Sequence, residues 1–213
     1  MDDLINNYLL HTLPDKNIWI KELEDQAKED NIPIMDQVSM HFVTQIIQIK
    51  RPKRILEIGT AIGYSALRML EASPKSQIVT MERDEVRYKQ AIQNIKLLNK
   101  EKNIDVIFGD ALEKLNELMD TDDKFDLIFI DAAKGQYQRF FELSLPLLNS
   151  DGLIITDNVL FRGFVANPEA TPKRYEKMVE KIIKYNNFLM NHPEFNTSIV
   201  PIGDGVALSS KKV

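Results

Sequence analysis

The stretch Ile55-Leu56-Glu57-Ile58-Gly59-Thr60-Ala61-Ile62-Gly63-Tyr64-Ser65 reads as an apolar strand running into a turn punctuated by two glycines. A glycine at a strand end lets the backbone approach a ligand, because it carries no Cβ. The spacing here is Gly59-x-x-x-Gly63. The dinucleotide fingerprint wants G-x-G-x-x-G, and Thr60-Ala61 breaks it, which disfavours a nicotinamide cofactor. Glu82 ends a second apolar run about 20 residues on, where a carboxylate commonly accepts hydrogen bonds from a ribose diol. Gly109-Asp110-Ala111 follows a third run and offers an acid and a backbone amide to an adenine edge. Together these features describe a site for an adenosine-bearing cofactor without a pyrophosphate, a description that S-adenosylmethionine fits.

Outward from this loop the pattern repeats. Apolar runs at Ile55–Ile58, Ile78–Met81, Val106–Phe108, Leu127–Ile130 and Leu153–Thr156 alternate with helical stretches such as Asp84–Leu98, Ala111–Met119 and Gln136–Leu147. Continuous apolar strands separated by helices indicate a parallel sheet covered on both faces. Upstream, Ile18–Asp30 and Val38–Ile49 carry apolar residues at helical spacing, so helices occupy about residues 1–50. Trp19 and His41 read there as packing residues. Pro172–Met190 reads as a last long helix, and Asn196–Ile202 and Val206–Ser209 as two strands around Gly203-Asp204-Gly205. With no repeat and no linker, residues 1–213 form one domain. Five βα units closed by a hairpin resemble the Rossmann-like class I methyltransferase fold. That is an α/β fold with a seven-stranded, mostly parallel sheet, helices on both faces and a C-terminal antiparallel strand. Ligands of such sheets bind at the carboxyl ends of the strands. Glu57, Glu82, Asp110, Asp131 and Asp157 all fall at or just beyond those ends.

Two strand ends finish on oxygen ligands, Phe129-Ile130-Asp131 and Ile155-Thr156-Asp157-Asn158. Asp131, Asp157 and Asn158 form an all-oxygen set, which selects a hard cation such as Mg²⁺. The three histidines, at 11, 41 and 192, lie in no ligand-like cluster. Three protein ligands leave room for two adjacent acceptor oxygens, so the acceptor has vicinal oxygens. Asp131 and Asp157 read alternatively as helix caps. Lys134, three residues past Asp131, would overhang the cation as a base, or else is a surface lysine at a helix start.

Composition narrows the classes. Cysteine is absent, which excludes disulfides and zinc-thiolate sites and fits a cytoplasmic location. No apolar run approaches the ~20 residues of a membrane span, and the acidic start Met1-Asp2-Asp3 lacks the form of a signal peptide. Net charge is −5, but residues 1–36 hold nine acids and three bases, so the remainder carries about +1. Lys173, Arg174, Lys177, Lys181 and Lys184 cluster against two glutamates. This is either a solvated helix face or a local basic patch of the kind that binds phosphate backbones.

The motifs Glu57-Ile-Gly-Thr-Ala-Ile-Gly-Tyr-Ser65, Gly109-Asp110-Ala111, Phe129-Ile-Asp-Ala-Ala-Lys-Gly-Gln-Tyr137 and Thr156-Asp-Asn158, with Glu82, resemble those of the cation-dependent O-methyltransferases of the catechol and caffeoyl-CoA type. Thr156-Asp-Asn-Val-Leu-Phe-Arg-Gly163 and Leu189-Met-Asn-His-Pro193 look most like the bacterial tRNA 5-hydroxyuridine members. The resemblance implies that Met35, Gly59, Tyr64, Ser65, Glu82, Asp110, Ala111 and Asp131 contact S-adenosylmethionine. It implies that Asp131, Asp157 and Asn158 hold Mg²⁺, that Lys134 with Asp131 is catalytic, and that the protein is a homodimer. The expected reaction is methylation of the 5-hydroxyl of 5-hydroxyuridine at the tRNA wobble position. The 5-hydroxyl and the 4-carbonyl would chelate the cation, and Arg139, Arg162, Lys173 and Arg174 would meet the anticodon loop. The alternative acceptor is a small catechol-like molecule. No insertion matches those that family members acting on coenzyme A esters carry.

Overall fold

Residues 3–212 are described by a computed structural model, and the βα alternation is present throughout. Three helices lead in: α1 (Asp3–Thr12), α2 (Ile18–Glu29) and α3 (Gln37–Lys50). Asp36 starts α3 by accepting from the amides of Val38 and Ser39. Then follow β1 (Arg54–Ile58), α4 (Tyr64–Ala72), β2 (Gln77–Glu82), α5 (Glu85–Leu97), β3 (Ile104–Phe108), α6 (Ala111–Met119) and β4 (Phe125–Ile130). The chain ends with α7 (Tyr137–Ser144), β5 (Leu148–Thr156), α8 (Glu176–Met190), β6 (Phe195–Val200) and β7 (Val206–Lys211). The seven strands lie in the order β3-β2-β1-β4-β5-β7-β6. The first five are parallel, and β7 runs antiparallel to both β5 and β6. This is the class I methyltransferase fold.

Strand alternation divides the core. Ile55, Leu127, Phe129 and Ile155 pack on one face with α3, α4 and α5, while Leu56, Ile58, Ile128, Ile130 and Ile154 pack on the other with α7 and α8. Glu57 sits between Leu56 and Ile58, so it falls on the first face. Asp131 and Asp157, two residues past Phe129 and Ile155, share that parity.

Several boundaries differ from the sequence expectation. Gln136–Leu147 is not one helix: α7 is flanked by 3₁₀ turns at Lys134–Gln136 and Leu145–Leu147. Pro146, which lacks an amide hydrogen, sits in the second turn. The last helix begins at Glu176, after a 3₁₀ turn at Lys173–Tyr175. Helix α4, which the sequence reading did not single out, has Tyr64–Leu70 all buried. Among the described residues no helix is long and apolar enough to cross a membrane.

Candidate active site

The strand order converts scattered acids into one row. Read along the carboxyl edge from β3 to β5, the residues at or beyond the strand ends are Asp110, Glu82, Gly59, Asp131 and Asp157. The half formed by β3, β2 and β1 carries the glycine loop. The half formed by β4 and β5 carries the oxygen ligands. Asp131 stands at the junction, where the winding reverses between β1 and β4.

The loop is shaped for close approach. Gly59 has φ +104° and Gly63 has φ +85°. A Cβ on Gly59 would collide with the carbonyl oxygen of Asp131, so this position needs glycine on both counts. Gly63 precedes α4, whose first turn holds Tyr64 and Ser65. The Glu82 carboxylate ties the loop to β2, accepting from Ala61 N at 2.8 Å and from Arg83 N and Asp84 N at 2.9 and 2.8 Å. A carboxylate offers about four acceptor positions, so three amides leave Glu82 a lone pair for a further donor. Asp110 caps α6 through Leu112 N at 2.9 Å and lies 3.6 Å from an Arg83 nitrogen, with Ala111 opening the helix. Met35 is buried just ahead of α3. The Tyr64 hydroxyl turns away from the strand ends and donates to Glu24 at 2.9 Å, leaving its backbone amide for any ligand at the α4 N-terminus.

Glu57 was counted in the row of acids but given no role, and its geometry is the most telling in this half. It is fully buried and accepts from the hydroxyls of Ser65 and, at 2.5 Å, Thr80. Thr80 Oγ lies 2.6 Å from Thr60 Oγ, which binds the network to the loop. Burial raises the Glu57 carboxyl from an ordinary 4.5 to about 7, against the two hydroxyl bonds and with a further push from Asp131 and Glu82. The sequence signal was available: an acid inside an otherwise continuous apolar run has to be satisfied by something.

In the second half, Asp131 N donates to Ile58 O and Asp157 N to Ile130 O, both at 3.0 Å. The two aspartates therefore extend adjacent parallel strands, about 4.8 Å apart. The Asp157 carboxylate is buried and accepts from Asn158 N at 2.7 Å and Asn158 Nδ2 at 3.0 Å. Lys134 Nζ donates to Asn158 Oδ1. Neither aspartate caps a helix: the 3₁₀ turns that follow them have no side-chain cap, so that alternative falls away. Burial pushes the Asp131 carboxyl up, partly offset by Lys134. Burial and then the Asp131 charge push Asp157 well above the ordinary carboxylate range. A buried Asp157 and a half-buried Asp131 that repel each other, with one ammonium, Lys134, on the adjoining Asn158, are short of positive charge. An all-oxygen set with that deficit fits a hard divalent cation. Among the described residues no three His, Cys, Asp or Glu side chains converge; the set here is two acids and an amide.

The turn Gly203-Asp204-Gly205, read only as a hairpin turn, also supports this half. The Asp204 carbonyl accepts from Leu160 N and Phe161 N at 2.8 and 3.1 Å, and its carboxylate from Arg162 N at 3.2 Å. From below, α8 contributes Tyr185, whose hydroxyl lies 2.9 Å from Thr156 Oγ, and Asn186, which donates to Val159 O at 2.8 Å. Replacing Tyr185 with phenylalanine deletes a buried hydrogen bond beside Asp157. The expected loss is about 1 kcal/mol, read as a fall in melting temperature of roughly 3 °C.

The four basic residues expected to meet the acceptor are not equivalent. Arg162 (φ +54°) and Arg174 both lie over the Tyr175 ring, at 5.9 and 4.5 Å from its centroid. Lys173 is exposed in the same 3₁₀ turn. Arg139 is exposed on α7, 3.8 Å from Glu142. Phe161 and Phe164 pack with each other and with Tyr175 over Val179 and Ile182, so they are lid packing rather than open stacking surfaces. A cavity of about 250 Å³ near Lys16, His41 and Arg68 lies among α2, α3 and α4, lined by none of the strand-end acids.

Comparison with known proteins agrees with this geometry. The model of the O-methyltransferase family matches residues 11–212. A caffeoyl-CoA O-methyltransferase of Populus kitakamiensis is 31% identical over 97% of this chain and 92% of its own. A Staphylococcus aureus protein crystallised as a candidate caffeoyl-CoA O-methyltransferase is 38% identical, with a TM-score of 0.91 over 99% of this chain and all of that one. The SAH-bound Podospora anserina methyltransferase PaMTH1 is 26% identical, with a TM-score of 0.89 over 99% and 95% of the two chains. With the family model spanning residues 11–212 and a relative 31% identical over 97% of its length, this chain belongs to the O-methyltransferase family.

Proposed function

We propose that this protein transfers a methyl group from S-adenosylmethionine, with Mg²⁺, to one of two adjacent oxygens on a catechol-like acceptor. The observation that carries the reading is the placement of Asp131, Asp157 and Asn158 directly beside the open glycine loop. When bound, the cation lowers the pKa of the acceptor hydroxyl and orients it. The chain's own residues do the rest. Gly59 gives the cofactor backbone-close access, Glu82 keeps a lone pair for a ribose hydroxyl, and Asp131, Asp157 and Asn158 hold the cation. Because Asp131 joins the two halves, acceptor oxygen and methyl donor meet at one strand end, and much of the rate comes from that positioning. Lys134 Nζ, three residues beyond Asp131, takes the hydroxyl proton or steadies the anion.

A free catechol-like molecule accords best with relatives named for caffeoyl-CoA, since a caffeoyl group is itself a catechol. A second reading, 5-hydroxyuridine in the tRNA anticodon loop, is favoured by one observation: two guanidiniums share the Tyr175 ring beside exposed Lys173. An extruded base and its phosphates suit such a surface. Labelled S-adenosylmethionine supplied with a free catechol, or with tRNA carrying 5-hydroxyuridine, separates the two. If tRNA is the acceptor, replacing Arg162 and Arg174 together with alanine lowers tRNA methylation roughly tenfold and leaves catechol turnover unchanged. Undiminished turnover of both acceptors after chelation of divalent ions would sink either version.

A further inference from the structure

Tyr137 belongs to a motif singled out in the sequence, yet the reaction described above gives it nothing to do. It is 1% exposed, and its hydroxyl is a buried polar atom with no hydrogen-bond partner. Buried hydroxyls are seldom left so, because an unmade hydrogen bond in a low-dielectric interior is destabilising. Its place in the chain is specific. Tyr137 follows Lys134 by three residues, the spacing at which side chains eclipse on a 3₁₀ turn, and that turn is Lys134–Gln136. Its ring meets that of Tyr185 edge-on at 5.5 Å, and the Tyr185 hydroxyl is bonded to Thr156, the residue before Asp157. Burial first, and then the charges of Asp131 and Asp157, hold its ionisation well above the ordinary phenol range, so at neutral pH it is a donor.

We propose that Tyr137 is a positioning residue of the divalent-cation site, its O–H kept for an oxygen of the cation's coordination shell. This rests on the cation site proposed above. Lys134 in the 3₁₀ turn and Tyr137 at the start of α7, three residues apart, then serve the same centre: the ammonium from the Asn158 side, the phenol from the side of Tyr185 and Thr156. Outer partners of this kind fix the orientation of metal-held oxygens, and their loss typically weakens metal binding by about 10- to 100-fold.

The test sets Tyr137→Phe against the same chemical change one ring away, Tyr185→Phe. Mn²⁺ binding is titrated by the loss of its free EPR signal, with saturating S-adenosylmethionine and no acceptor, and melting temperatures are taken with EDTA. Tyr185→Phe breaks a bond that already exists and lowers the metal-free melting temperature. Tyr137→Phe removes a hydroxyl with no partner, so its metal-free melting temperature stays level or rises, while its Mn²⁺ affinity falls about tenfold or more. Mn²⁺ affinity within twofold of wild type would overturn the proposal. So would a metal-free melting temperature lowered as far as that of Tyr185→Phe, which would give the hydroxyl a structural partner. If the wild type itself takes up no Mn²⁺, the cation site fails; if the wild type binds and Tyr137→Phe binds equally, only the tyrosine's role fails.

Discussion

Replacing Asp157 with asparagine is expected to lower methyl transfer by about three orders of magnitude or more and, in the same protein, to raise the metal-free melting temperature. The first effect follows from the cation's contribution, several kcal/mol of charge stabilisation and therefore about a thousandfold in rate. The second follows from burial. Asp157 is 1% exposed beside Asp131, and both burial and that neighbour disfavour its charged form. An amide has the same shape and no charge, and its oxygen still accepts from Asn158 N; the bond from Asn158 Nδ2 is lost, at about 1 kcal/mol, and the removed buried charge outweighs it. The metal-free protein then melts a few degrees higher at pH 7.5, while Mg²⁺, which raises the wild-type melting temperature, no longer moves it. Scanning calorimetry with and without EDTA, alongside a labelled-methyl assay, reads both effects. A variant that keeps a tenth of wild-type activity, or that is destabilised without metal, contradicts the assignment of Asp157 as a cation ligand. The opposed signs matter, because a merely structural aspartate would lose stability and activity together.

Much of this site was legible because parallel strands end in register. Apolar runs of fixed length mark where each strand stops, and residues one position further fall in a row whatever lies between them. Glu57, Glu82, Asp110, Asp131 and Asp157 were put in the row that way, though Glu57 lies one residue inside β1. Asn158 and Lys134 were found by adjacency to members of the row. What stayed hidden depends on contacts between distant segments. Nothing local says that Thr80 on β2 donates to Glu57 on β1, or that the Asp204 carbonyl gathers the amides of Leu160 and Phe161. Helix α4 was missed because its first turn begins inside the stretch read as the glycine loop. Tyr64 shows the limit from the other side. The resemblance implied a cofactor contact there; the structure adds that its hydroxyl is held by Glu24 of α2, which no spacing rule connects to it. The acceptor is harder still, because exposed side chains such as Arg162 and Arg174 take positions that no core packing dictates.

The metal-free protein should lose stability as pH rises from 5 to 8, and Mg²⁺ should restore more of it at the upper end. Glu57 carries the quantitative part. Its carboxyl is raised from 4.5 to about 7 in the folded protein, so the folded state holds a proton that the unfolded chain has released. A group with a raised folded value stabilises fully below its unfolded value, and that stabilisation is lost as pH climbs through the folded one. The window is therefore about pH 4.5 to 7, and the amplitude from Glu57 is about 3 kcal/mol. At this chain length that corresponds to a fall on the order of 10 °C in melting temperature. Asp131 and Asp157 are also raised and act in the same direction. Asp126 is lowered by amide and Asn149 hydrogen bonds that outweigh its desolvation, so its contribution is lost only below its ordinary 3.8, outside the window. A divalent cation reverses the trend for the aspartate pair, because it competes with the protons that burial favours. The Mg²⁺-induced rise in melting temperature accordingly grows with pH and is smallest near 5.5. Thr80→Val removes one of the two hydroxyl bonds that hold the Glu57 value down, and steepens the metal-free decline. Metal-free melting temperatures that are flat or rising between pH 5 and 8 would mean that Glu57 and the two aspartates are not the buried, charge-starved cluster that this sheet edge assembles.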